Sequence, residues 1–174
     1  MTAAVTRTER TRSEHEVFRA GFIAGLIKLG FDTTLAPLIL LDPWGVMRRQ
    51  AAIVLGRHVV PLNAPFGLGT GIVALAVHFA LSFFYAYLLI LALRRTSRLA
   101  GIAIALIFGV AIYLFNFYVL TGIFPWFVDV RGVPQLVSTV VFTVTVSFVY
   151  YAMHPPPRLE EIGPSSQHSS RMVL

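Results

Sequence analysis

Residues Gly21–Leu41 read GFIAGLIKLGFDTTLAPLILL, and this stretch decides the fold class. It is long and apolar enough to cross a bilayer as a helix, since about 20 residues suffice. Yet Lys28 and Asp32 stand in its middle. Charges at the centre of a membrane helix cost about 2.5 to 3.5 kcal/mol each on insertion scales, so a helix that keeps them must supply partners. The helical repeat places Gly21, Gly25, Lys28, Asp32 and Ala36 on one face. Phe22, Ile23, Leu26, Ile27, Leu29 and Phe31 fall on the others. The charged face is therefore expected to point into a bundle, with Gly21 and Gly25 as a small-xxx-small pair that lets another helix approach.

Working outward, the 174-residue chain is 56% hydrophobic and 13% charged, with a mean hydropathy of +0.75. A soluble domain carries about 25% charged residues. The apolar residues form four long blocks, which makes an all-α polytopic membrane protein the expected fold class. The net charge of +6 sits at the ends of those blocks. No basic stripe alternates with aromatics, so no nucleic-acid partner is expected. The absence of cysteine excludes disulfides, thiolate metal sites and a cysteine nucleophile. No cleavable leader is read at the start, and the first block is expected to remain as an anchor.

The expected organisation is a four-transmembrane-helix domain over 17–153, with a flexible cytoplasmic tail over 1–16 and a disordered tail over 154–174. The helices are placed at 17–41, 67–93, 99–124 and 133–153. Helix four is rich in Val and Thr, a strand-like composition in water, but its length and a lipid setting favour helix. An extra amphipathic interfacial helix is placed at 45–57, between helices one and two. There Asp42 suits an N-cap, Pro43 suits the first helical position, and Arg48 and Arg49 gather on one side with Gly45 and Ala52. Trp44 and Trp126 are read as interfacial anchors.

The orientation follows from the arginines. With both termini inside, Arg7, Arg10, Arg12, Arg19, Arg94, Arg95, Arg98, Arg158 and Arg171 flank the cytoplasmic side, against Arg48, Arg49, Arg57 and Arg131 outside. This bias gives cytoplasmic N- and C-termini in a bacterial inner membrane, although the three arginines of the outer connection run against it.

Each helix carries a stripe of small or polar residues. In helix two it is Gly67, Gly71, Ala74, His78, Ser82 and Tyr85. Helix three has Gly101, Ala105, Gly109, Ile112 and Asn116, and helix four has Thr139, Thr143, Ser147 and Tyr150. Depth along the helices brings Asp32, His78 and Asn116 within reach of one another. The candidate polar cluster is therefore Lys28, Asp32, His78, Ser82, Tyr85 and Asn116. Two readings of it stay open. One is a proton or ion path, since His and Asp exchange protons and a buried Lys titrates readily. The other is structural, with Lys28 and Asp32 paired and His78 and Asn116 joining helices.

No metal-ligand spacing occurs, and no cofactor is expected. Ser82 follows His78 by one turn, but without an oxyanion-hole signature it does not make a hydrolase. GLGTG at Gly67–Gly71 has no preceding strand, so helix packing explains it better than a nucleotide loop does.

Three segments carry a resemblance: PWGVMRRQAAIVLGRHVVP (43–61), ALAVHFALSFFYAYLL (74–89) and NFYVLTGIFPWF (116–127). With GFIAGLI from Gly21, the chain resembles a family of small, uncharacterised four-span bacterial inner-membrane proteins, some labelled "sodium:proline symporter". The resemblance implies the topology, the outer amphipathic segment, and attention to His78, Tyr85, Asn116, Pro125 and Trp126. It supplies no catalytic residues. Symport by inverted repeats around unwound helices is not expected from this chain, which shows no internal repeat.

The functional expectation is a non-enzymatic membrane protein, either an accessory subunit of a membrane complex or a homo-oligomer. Its partners are then the lipid bilayer and another membrane protein or a second copy. The alternative is a small transporter or channel with a proton or ion path through Asp32 and His78.

Overall fold

In the computed structural model the backbone is described for residues 2–40 and 42–154, and side chains for 15–35 and 42–154. The C-terminal tail expected over 154–174 lies outside the described residues apart from His154.

The fold is an all-α bundle. It consists of α1 (Thr2–Leu40), the short α2 (Gly45–Leu55), α3 (Leu68–Leu93), α4 (Arg98–Leu114) and α5 (Val133–Met153). Among the described residues three helical segments are long and apolar enough to cross a membrane: Leu68–Leu93, Arg98–Gly122 and Val133–Met153. They are compatible with a multi-pass membrane protein. At 1.5 Å per residue the 21 residues of α5 span about 31 Å, close to the hydrocarbon thickness. The fourth long helix, α1, is the one that carries Lys28 and Asp32. It begins at Thr2, so the segment expected as a flexible tail continues the helix instead.

The four long helices run up and down. α1 lies between α3 and α5, and α4 packs along the far side of α5. α3 and α4 are joined by the turn 94–97 but touch little, which leaves a seam between them. The expected faces hold in part: Lys28, Leu29 and Phe31 are half-buried, and Ala36 lies outside the described side chains. Gly21, Gly25 and Asp32 are buried, while Phe22, Ile23, Leu26 and Ile27 are exposed. A methyl group on Gly21 would stand 2.8 Å from the Phe83 ring, and one on Gly25 3.0 Å from Ser82 Oγ, so both glycines are needed for α3 to come this close. Ala20 and Ala24 are also fully buried.

α5 is helical despite its Val and Thr content, as its length predicted, and its hydroxyls are satisfied by carbonyls of their own helix. Thr139 donates to the Gln135 carbonyl (2.8 Å), Thr143 to Val140 (2.9 Å) and Thr145 to Val141 (2.8 Å).

At the end away from the 94–97 turn, α2 does not rest on a surface as its amphipathic pattern suggested. Residues 45–52 are all buried, Arg48 and Arg49 among them, and α2 is wedged against α3. The arginines can be buried because each is answered locally. Arg48 donates to Asp42 Oδ2 (3.1 Å) and the Ala64 carbonyl (2.6 Å). Arg49 donates to the carbonyls of Trp126 (2.8 Å) and Gly45 (3.1 Å) and to Asp129 (2.9 Å). The helix starts at Gly45, two residues later than an Asp42 cap would place it. Asp42 instead accepts from the Trp44 backbone N–H (3.0 Å), a turn that precedes the helix.

Beyond α4 the chain widens into a π turn over Phe115–Val119 and then tightens into 3-10 turns over Leu120–Gly122 and Pro125–Val130. Such changes of pitch leave carbonyls without a partner in the helix. Arg131 meets one of them, donating from Nε to the Phe117 carbonyl and from its terminal nitrogen to Thr121 Oγ1 (2.8 Å).

Candidate functional site

Lys28 and Asp32 form the ion pair expected one turn apart, with Lys28 Nζ 3.0 Å from both carboxylate oxygens. The remaining partners come from α5. Ser138 donates its hydroxyl to Asp32 Oδ1 at 2.6 Å and accepts from Lys28 Nζ at 3.2 Å. Gln135 Nε2 lies 3.4 Å from the same Asp32 oxygen. Asp32 is 2% exposed, so these contacts replace its hydration. A buried ion pair holds only when its leftover lone pairs and protons are also met, and Ser138 and Gln135 do that here.

His78 and Asn116 were expected to approach Asp32, and neither is among its hydrogen-bond partners. His78 Nε2 donates to the Gly25 carbonyl at 2.9 Å. A carbonyl can only accept, so Nε2 carries the proton and a neutral ring keeps its lone pair on Nδ1. The missing side chain at Gly25 leaves room for Ser82 and Phe79 beside it. Ser82 donates back to the His78 carbonyl (2.8 Å), a bond within α3. Tyr85 donates to Asn116 Oδ1 at 2.6 Å, and this bond crosses the seam between α3 and the π turn after α4.

The expected cluster is therefore three separate pairings. What joins them is a cavity of about 160 Å³ whose wall includes Lys28, His78, Ser82, Tyr85 and Asn116. Asp32 is not part of the wall. Gln50 of α2 and Gln135 and Thr139 of α5 complete its polar edge, and Phe117, Phe124, Phe127 and Phe142 supply much of its apolar surface. α2 and the 124–127 segment close the cavity at their end of the bundle.

Trp126, expected as an interfacial anchor, is half-buried and tied to α2. Its Nε1 donates to the Arg49 carbonyl (3.1 Å), and its own carbonyl accepts from Arg49. Trp44 is exposed and stacks on Phe66, with ring centres 5.3 Å apart. Among the described residues no three His, Asp or Glu side chains converge in a way that could hold a metal ion.

No protein-family model, no curated protein and no solved structure matches this chain. The site is accordingly read from its own chemistry. A wall whose Lys28 charge is met by Asp32 behind it, five phenylalanine and tyrosine rings and a few amides can bind and orient a molecule.

Sequence reading missed Gln135, Ser138 and Gln50. Gln135 was within reach, since Gln135, Thr139, Thr143 and Ser147 repeat every four residues, and extending the α5 stripe one turn back finds it. Gln50 carried no such signal, because its burial depends on α2 being wedged inward.

Proposed function

We propose that the chain is a multi-pass bacterial inner-membrane protein without enzymatic activity, working as an accessory subunit of a larger membrane complex or as a homo-oligomer. The proposal includes the resemblance to the small four-span bacterial family and takes α1 as the fourth span. The observation that carries it is the closed ion pair. Lys28, Asp32, Ser138 and Gln135 satisfy one another within the chain, which is what a structural brace between α1 and α5 requires. Solubilisation in mild detergent should then bring down a stoichiometric second protein or a fixed multiple of this chain. A monomer recovered alone from native membranes would overturn this reading.

Cytoplasmic N- and C-termini belong to the same proposal. The outer arginines weighed against it, and of these Arg57 is exposed, but Arg48, Arg49 and Arg131 are bound to carboxylates, carbonyls or a hydroxyl of their own end, so those three are spoken for. They are not free to act as cytoplasmic anchors. The chain has no native cysteine. When intact cells meet an impermeant maleimide, the single variant Asn63→Cys should therefore be labelled and Ser97→Cys should not, and the opposite pattern would overturn the orientation.

One observation favours a second reading, a small transporter or channel with a path through Asp32 and His78. The cavity gathers Lys28, His78, Ser82, Tyr85 and Asn116 around one space. On that reading Asp32→Asn abolishes proton-linked uptake in liposomes while the fold survives. If Asp32→Asn and His78→Ala change only thermal stability, the path does not exist.

A further inference from the structure

The cavity described above holds one polar group that the fold does not use. Gln50 is 8% exposed and lines the cavity, and its buried Oε1 has no hydrogen-bond partner among the described residues. An unmet buried polar atom costs about 1 to 3 kcal/mol, and native proteins carry few of them. A half-turn of the carboxamide exchanges its oxygen and nitrogen, so this group can meet either a donor or an acceptor. Asn116 offers a second carboxamide. Its Oδ1 takes the Tyr85 hydroxyl, and its carboxamide belongs to the same cavity wall.

The rest of the wall restricts what can enter. Lys28 and Asp32 neutralise each other, which disfavours a charged guest. Ser82 and Thr139 direct their hydroxyl protons at carbonyls of their own helices. Phe117, Phe124, Phe127 and Phe142 present aromatic surface. Apolar cavities of about 150 Å³ stay dry and accept benzene-sized guests, and this one measures about 160 Å³. We propose that the cavity binds an uncharged, single-ring phenol, whose O–H donates to the Gln50 carboxamide oxygen. Nonpolar groups form most of the wall, so the ring is buried as hydrocarbon and the hydroxyl decides selectivity. The seam between α3 and α4, spanned by the Tyr85–Asn116 bond, is the route by which a membrane-dissolved ring reaches the site. This inference goes beyond the subunit reading and does not depend on it.

The test uses the full chain in detergent micelles with 4-fluorophenol and 4-fluorotoluene, followed by fluorine NMR. The two probes differ by a hydroxyl in place of a methyl group. The wild type should show a protein-bound 4-fluorophenol signal, with affinity about tenfold above that for 4-fluorotoluene, the equivalent of one hydrogen bond. Gln50→Leu should remove that tenfold preference and leave 4-fluorotoluene binding unchanged. Should Gln50→Leu not fold, Gln50→Met carries the same expectation with a more flexible side chain. Ile112→Trp, which fills the cavity, should abolish both signals while circular dichroism and elution volume stay those of the wild type. Equal affinity for the two probes, no bound signal for either, or a preference that survives loss of the Gln50 amide would each overturn the proposal.

Discussion

Near the Arg94–Arg98 turn the helices meet through small side chains. α4 lies against α5 at Gly101, Ala105 and Gly109, and α1 enters the bundle at Ala20, Gly21 and Ala24. Tyr151 occupies the space that a side chain on Gly101 would need, and its hydroxyl lies 2.8 Å from Thr96 Oγ1. At the opposite end, side chains bond to side chains: Lys28 to Asp32, Ser138 to Asp32, Arg49 to Asp129 and Tyr85 to Asn116. The difference follows from lipid as a solvent. Apolar helices gain little from one another there, so they associate by close backbone approach or by polar bonds. This bundle relies mainly on the first means near the turn, where Thr96–Tyr151 and Glu16–His154 add side-chain bonds, and mainly on the second at the other end. The cavity belongs to the second end, where bonds hold helices apart as well as together.

The comparison is most exposed to a change at Asp32. Asp32→Ala leaves Lys28 without its counter-charge and should cost about 3 to 5 kcal/mol of unfolding free energy, read by steric trapping in bicelles. Lys28→Met with Asp32→Leu should recover most of that loss, because an apolar pair of similar volume replaces the ions. A double variant as unstable as the single one would mean that the charge itself is required. Next comes the small-residue end. A methyl on Gly109 would stand 2.5 Å from Thr143 Oγ1 and 3.0 Å from the Val140 backbone, so α4 and α5 must separate. Gly109→Ala is expected to cost about 1 to 3 kcal/mol in the same assay. If it cost nothing, close approach would not be what holds that end.

Smaller effects sharpen the picture. The Asp129 side chain is 60% exposed, so Asp129→Asn should lower the melting temperature slightly, through a loss of about 0.2 to 1 kcal/mol. Ser147 is fully buried in α5, and its hydroxyl has no partner among the described residues. Ser147→Ala should leave the melting temperature unchanged or raise it, because it removes an unmet polar atom. A clear drop would show that this end also relies on a hydrogen bond.

Much of the architecture was legible from periodicity. α3 and α5 fall within one residue of their expected ends, because apolar blocks bounded by Gly, Arg and Pro leave little choice, whereas α4, expected to run to 124, keeps its α repeat only to Leu114 and continues as π and 3-10 turns. The inward face of α1 was equally legible, since Gly21, Gly25 and Asp32 recur at helical spacing among large apolar residues. What escaped was which helix answers Asp32. Depth along each helix ranked His78 and Asn116 as candidates, but depth says nothing about which helices are neighbours. α4 does not lie beside α1, which removes Asn116, while α3 does but its His78 meets α1 at the Gly25 carbonyl, so Ser138 and Gln135 of α5 take the carboxylate. Burial of α2 was hidden for a related reason. Arg48 and Arg49 read as solvent-facing until Asp42, Ala64, Trp126 and Asp129 are brought around them by the fold. The glycines of GLGTG show the converse. Gly67 has no close neighbour and Gly71 meets only the Phe66 ring at 3.9 Å, although both continue a stripe that is buried at Ala74, His78 and Ser82.

The π turn over Phe115–Val119 has a genealogical side. A π turn fits one more residue into a turn than an α-helix does, and such a wide turn has the form of a single-residue insertion. Losing one residue there would return the segment to the α repeat and swing everything beyond it by about 100° about the helix axis. Asn116, Phe117 and the 124–127 segment would then face new neighbours, and Arg131 would lose its grip on the Phe117 carbonyl. Composition, hydropathy and span count would barely change. One codon therefore separates two proteins that look alike by every bulk measure yet differ in whether they enclose a chamber.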